Sequence, residues 1–426
     1  MKKALVVVLA LLILTALGSV NRIAVVPYIV IITVVVVSVL IALDKISKRY
    51  YPVYIYGLML ALLWQTSMLG SHIVGADIHG EFYMTKVAIT EGWDMSFTYV
   101  NNTSLVLSVV APLLAKLGFD PVWQFKALYP AVFACVPVIL YYAYRKMLGE
   151  KRAYFAVLFF VITPISLVEI VGIVKSMVAE VFLASIVLFT VIDIKSWQRM
   201  LGLGVSVSLA AMCHYTIGVL AIAYLVGIFG VMTAGSTITF FLRKLRLSTL
   251  HIRWKMSALY FILIIAIFAA PCYFWYSSIG DGFMIKVLGV IANYTAFGSQ
   301  VIHSPELLNG HEPLLRTALG LDFGNVPLEG KAFRVLQFLV QFLVAIGFVY
   351  LLFRRGKYAF TAEFIAGVIV SFCLLGMCLL LVGFSTNINA SRFYQVSLFF
   401  LAPMLVVGAE QIINDLGRLK CLRKYQ

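Results

Sequence analysis

Long apolar runs separated by short charged turns dominate this chain. The stretch 23–43, for example, contains no Asp, Glu, Lys, Arg or His. Hydropathy predicts twelve such segments, at 4–19, 23–43, 53–70, 121–143, 153–173, 177–194, 201–214, 216–233, 257–277, 334–353, 361–384 and 394–412. Most approach the ~20 residues a helix needs to cross the hydrocarbon core. Segments 201–214 and 216–233 are short for two spans and read as a tight pair around His214. A transmembrane barrel would instead alternate apolar and polar residues along short strands. The pattern predicts an all-α polytopic membrane protein, a single transmembrane domain over 1–426 with about 12 transmembrane helices. Two intervening stretches, 70–120 and 278–334, are long enough to build a site, and internal repeats are not evident.

Composition sharpens this picture. Hydrophobic residues make up 62% of the chain, charged residues 12%, and mean hydropathy is +1.01. A soluble globule of that composition would have to expose much of its apolar surface. A cytosolic enzyme, a secreted disulfide scaffold and a disordered chain are therefore excluded. The net charge of +15 would point to nucleic acid in a soluble protein, but here it is a matter of topology. With the N-terminus inside and alternating crossings, 23 of the 33 Lys and Arg residues fall on the inner side. The reading is a multi-pass protein of the cell membrane with cytoplasmic termini, in contact with the lipid bilayer and not with nucleic acid. The first segment could also be a signal peptide ending near Gly18; a retained helix is expected. The six cysteines show neither metal-ligand nor disulfide spacing.

The outward-facing stretches carry the candidate chemistry. The first is rich in acid: Asp77, Glu81, Glu91, Asp94 and Asp120. Asp77 and Glu81 are four apart, so on a helix they share a face while His79 points elsewhere. Such carboxylates can share a proton, bind a cation or act as a general base, or be ordinary surface acids. Ser104 to Phe119 is apolar but holds Pro112 and Lys116, and reads as a helix lying on the outer surface. Glu169, Lys175 and Glu180 bracket a later outer turn, where Lys175 either pairs with Glu169 or binds a phosphate. His214 and Tyr215 fall on the same outer side. Arg392, in Asn389-Ala390-Ser391-Arg392, suits a phosphate bidentately. Asn101, Asn102, Asn293 and Asn389 each match the N-glycosylation pattern. Glu363 and Glu410 lie near inner span ends and should meet water or a lysine.

Taken in order, these pieces resemble the GT-C superfamily of integral-membrane glycosyltransferases. The closest likeness is to an uncharacterised archaeal membrane family related to the protein O-mannosyltransferases and the aminoarabinose transferases. The resemblance rests on 75–81 (Gly-Ala-Asp-Ile-His-Gly-Glu) and the short apolar helix after it. It continues through Phe125 to Pro130 leading to Pro137 and Tyr141, Glu169 with Lys175 and Glu180, His214-Tyr215, and Asn389 to Tyr394. It implies transfer of a sugar from a polyprenyl-phosphate donor to an acceptor hydroxyl of a protein, lipid or glycan, with inversion. By motif position Asp77 would be the catalytic base. Arg392 and Lys175, with Lys86 third, would steady the leaving phosphate. His79, Glu81, Glu169, His214, Tyr215 and Asn389 would help position sugar or acceptor. A divalent metal on Asp77, His79 and Glu81 is a thin possibility. The rival readings are a transporter or lipid flippase, which would show broken helices and mid-depth charges, and a non-catalytic membrane subunit.

Overall fold

A computed structural model describes residues 2–97, 99–244, 258–279, 320, 323–353, 358–380 and 389–423. Among them every regular element is helical. The main helices are α1 (Lys2–Val20), α2 (Val26–Ala42), α3 (Tyr51–Ser67), α4 (Asp77–Thr90), α5 (Val106–Lys116), α6 (Pro121–Leu148) and α7 (Glu150–Val161). They continue as α8 (Val174–Val191), α9 (Ser196–Cys213), α10 (Tyr215–Lys244), α11 (Ala258–Ser278), α12 (Leu328–Phe353), α13 (Ala362–Leu380) and α14 (Ala390–Arg423). An apolar chain in lipid must satisfy its backbone internally, and a helix does so with no partner strand. Pro27 and Pro52 sit in the first turns of α2 and α3, where no amide partner is lost.

Over its described residues each of the twelve predicted segments is largely helical, although 153–173 is split between two helical pieces. Among the described residues seven helices, α6, α8 and α10 to α14, are long and apolar enough to cross a membrane. Glu150–Val161 and Ile165–Gly172 together make an eighth candidate, bent by 66° at the break. The apolar stretches of α1 and α2 are 17 residues each, as is α3, below the length expected of a straight crossing. The expected tight pair is present: α9 and α10 are separated by His214 alone, whose extended backbone (φ −150°, ψ 109°) breaks the helix.

The chain divides into two compact units, Met1–Lys286 and Val287–Gln426. In the first, α1 packs on α3, α3 on α6, α6 on α8, α8 on α9, and α9 on α10 and α11. The Tyr276 hydroxyl donates to Ala211 O at 2.5 Å and holds α11 against α9. In the second, α14 packs against both α12 and α13. Most of the stretch 278–334, with Asn293, lies outside the described residues, as do Asn387 and the inner basic residues Arg246, Arg253, Lys255, Arg354, Arg355 and Lys357.

Candidate functional site

The stretch 70–120 is folded onto the first unit rather than trailing from it. Gly75, at φ 133°, passes so close to Gly172 that a Cβ on it would stand 3.2 Å from the Gly172 Cα. A side chain on Gly75 would press on the Gly172 backbone and strain its own positive φ, whereas a Cβ on Gly172 would meet nothing within 4 Å. Two residues later α4 begins at Asp77, with its side chain exposed. One helical turn on, Glu81 is buried against the start of α8. Its Oε2 accepts the Val174 N–H at 2.7 Å and the Lys175 N–H at 3.4 Å. These are first-turn amides with no partner inside the helix, and they favour a carboxylate. Asp77 is thus bracketed by two contacts to the segment that opens α8.

Lys175 completes the cluster. Its Nζ lies 3.6 Å from Glu81 Oε1 and donates to Asn101 Oδ1 at 2.6 Å. The Asn101 amide in turn donates to the Tyr99 hydroxyl at 3.2 Å. That hydroxyl packs over Gly80, where a Cβ would come within 2.6 Å of it. Burial is the largest influence on Glu81 and raises its carboxyl from 4.5 to about 7; Lys175 and the two backbone amides pull the other way.

The rest of the stretch supports this corner. Asn102 is fully buried; its amide donates to Asp94 O (2.8 Å) and Phe97 O (2.9 Å), and its Oδ1 accepts from Trp93 Nε1 at 3.0 Å. Trp93 stacks on Trp275, whose indole N–H donates to Thr103 O at 2.9 Å. Ser104 Oγ donates to Cys213 O at 2.7 Å. Asn101 and Asn102 therefore have their amides engaged and buried, so the glycosylation reading of both is corrected. The other acids serve local purposes. Asp94 accepts from the Ser96 backbone and hydroxyl, which hold its carboxyl below the usual range. Asp120 caps α6 through the Val122 and Trp123 amides. Lys126, 2% exposed, donates to His72 O at 2.6 Å and ties the start of this stretch to α6.

Several expectations change. Asp77 and Glu81 do not form a carboxylate pair, because one is exposed and the other is turned inward onto α8. Nor do they make a metal set with the exposed His79: no group of three ligating residues forms among the described residues. Lys175 pairs with Glu81, not with Glu169, which is exposed. Lys86 is exposed, with Nζ 4.9 Å from the Phe82 ring centroid. His214 is 2% exposed, stacks on Tyr215 (5.5 Å), and its Nδ1 accepts the Ile217 N–H at 3.3 Å. It is a packed cap for α10. Glu180 is buried in α8, and Glu410 accepts from the Tyr358 hydroxyl at 2.9 Å. Asn389 and Arg392 stand at the start of α14 in the second unit, exposed and half-buried respectively. Tyr99 and Lys126 carry polar contacts that spacing alone did not single out, and Asn101 was marked only as a glycosylation match.

A family profile described as "Predicted membrane protein (DUF2206)" matches residues 200–426, more than half of the 426-residue chain. The chain belongs to this family. Its description states membrane location and no activity. The DUF2206 match takes in His214, Tyr215, Asn389 and Arg392, whereas Asp77, Glu81 and Lys175 lie outside it. No curated protein matches the chain.

Proposed function

We propose that this DUF2206 protein is a glycosyltransferase of GT-C type, moving a sugar from a polyprenyl-phosphate donor to an acceptor hydroxyl at the outer membrane face. The observation that carries the reading is the bracketing of exposed Asp77 between the Gly75–Gly172 approach and the contacts to α8 of Glu81, the residue that pairs with the Lys175 ammonium. Asp77 takes the proton from the acceptor hydroxyl. The oxygen attacks the anomeric carbon from the face opposite the phosphate, and the bond to the phosphate oxygen breaks with its electron pair. The leaving group is already anionic, so a fixed cation serves it better than an acid. Lys175 is that cation, held by Glu81 and Asn101; Arg392 is a second candidate from its sequence position. No metal enters this scheme, since the expected ligands do not converge. Counting α1, α2, α3, α9 and the bent pair as crossings gives the twelve-span topology, with cytoplasmic termini.

The test is Asp77→Asn in membranes supplied with a polyprenyl-phosphate sugar. Transfer should fall by about 100-fold or more, with thermal unfolding unchanged. Full activity in the variant would overturn the reading. One observation favours a transporter or flippase instead: the 66° break between Val161 and Ile165 is the kind of discontinuity such proteins use. Lipid or solute movement in proteoliposomes, insensitive to Asp77→Asn, would decide for that alternative.

A further inference from the structure

A second feature lies in the first unit, away from the α4–α8 corner. A cavity of about 550 Å³ opens between α1, α3 and α6, within the size range of small-ligand sites. Leu5 and Leu9 of α1, Val53 and Tyr56 of α3, and Val138 and Tyr142 of α6 line it. Its floor is closed by Val8, which packs on Gly57 so tightly that a Cβ there would overlap it. Apart from tyrosine hydroxyls and the Cys135 thiol, the lining is apolar. From Leu5 to Leu12 the groove runs about 10 Å along α1.

The charge at one end indicates the occupant. Lys2 and Lys3 precede Leu5, Lys48 and Arg49 precede Pro52, and Arg145 and Lys146 follow Tyr142. All three groove helices thus carry cations next to the lining residues nearest that end. The Arg145 guanidinium sits 4.4 Å from the ring centroid of Tyr142, itself a lining residue, so it stands at the mouth. Glu150, 3.9 Å from Arg145, leaves most of this charge uncompensated. An apolar groove ending in clustered cations at a bilayer surface matches an anionic lipid: hydrocarbon in the groove, phosphate at the cations.

We propose that this groove is a specific site for one hydrocarbon chain of an anionic glycerophospholipid, with its headgroup phosphate at Arg145. The proposal is independent of the transferase reading. The full chain is placed in nanodiscs containing a diazirine-bearing phosphatidylglycerol, photolysed, and the adducts mapped by mass spectrometry. Adducts should concentrate on residues 5–12, 52–56 and 135–142. Unlabelled phosphatidylglycerol should compete several-fold better than phosphatidylcholine. Val138→Trp, which fills the groove, should cut labelling several-fold. Arg145→Gln should keep the labelling and lose the headgroup preference. Labelling spread evenly over exposed apolar faces such as α2, or equal competition by the two lipids, would overturn the proposal. So would loss of lipid adducts with cross-links from these stretches to a second copy of the chain. The wild-type competition decides the matter even where a variant fails to fold.

Discussion

Glu81 meets Lys175 through both backbone and side chain: Oε2 accepts the Lys175 N–H at 3.4 Å, and Oε1 lies 3.6 Å from Nζ. The two residues are 94 positions apart. This one carboxylate therefore docks α4 onto the start of α8 and sets the direction of the ammonium. Oε1 has no hydrogen-bond donor of its own and is held by charge alone.

That environment makes stability depend on pH. Burial raises the Glu81 carboxyl from 4.5 to about 7, so the folded chain holds the proton more tightly than the unfolded one. The Glu81 contribution is complete below about pH 4.5 and is lost as pH rises through about 7. The loss should be on the order of 3 kcal/mol, at about 1.4 kcal/mol per unit. Glu81→Gln keeps the shape and stays neutral, so denaturant unfolding in detergent should show no such step for it. If the variant were instead less stable than wild type at pH 8, the ion pair would outweigh burial.

Lys175→Met tests the other partner. Without the ammonium the strongest influence lowering the Glu81 carboxyl disappears. The stability step should move to higher pH, and the lost charged hydrogen bond to Asn101 should cost about 1.5–3 kcal/mol. Lys175→Arg should restore much of the charge effect. An unmoved pH step in Lys175→Met would show that the pair is not coupled. Transfer assays on the same proteins separate this structural role from a role at the donor phosphate.

Gly80 is where α4 lies closest to Tyr99. Gly80→Ala would press a methyl against the Tyr99 hydroxyl and displace it from Asn101. A loss of about 1 kcal/mol is expected, with weaker ordering of Lys175. Tyr99→Phe removes the colliding oxygen, so the double variant should recover stability relative to the sum of the singles. Strict additivity, measured by unfolding, would mean that the two do not touch.

Much of this architecture was legible in the chain and some of it was not. Unbroken apolar runs locate helices because lipid leaves the backbone no other solution, and over the described residues each segment is largely helical, with a break inside 153–173. The break at His214 was visible as a polar pair between two short runs. Membrane crossing was less legible: α1, α2 and α3 are apolar or nearly so but stop short, since caps and turns fix helix ends. At the site, the helical spacing of Asp77 and Glu81 was right, but it could not show that a 40° difference in direction sends one to the surface and the other inward. For Lys175, nearness in sequence offers Glu169 as a partner, alongside a phosphate. Its real partner comes from another helix, which no spacing rule reaches. The buried amides of Asn101 and Asn102 were hidden by a surface-loop motif.

The second unit offers a sharper packing test. Gly347 of α12 and Gly408 of α14 lie opposite each other, and a Cβ on either would overlap backbone of the facing helix, at Met404 and Leu343. Rotation of a side chain cannot relieve a clash with main chain, so the helices must separate. Such close approach is how small residues join helices when lipid provides no hydrophobic drive. Gly408→Ala should therefore cost about 1–3 kcal/mol or more, far above the effect of Gly376→Ala on α13, where a Cβ meets nothing within 4 Å. Thermal unfolding of the two variants in the same detergent makes the comparison, with equal midpoints as the result that would refute the packing. Gly347→Ala combined with Gly408→Ala should lose less than the sum, because once the helices have parted the second methyl finds its space already open.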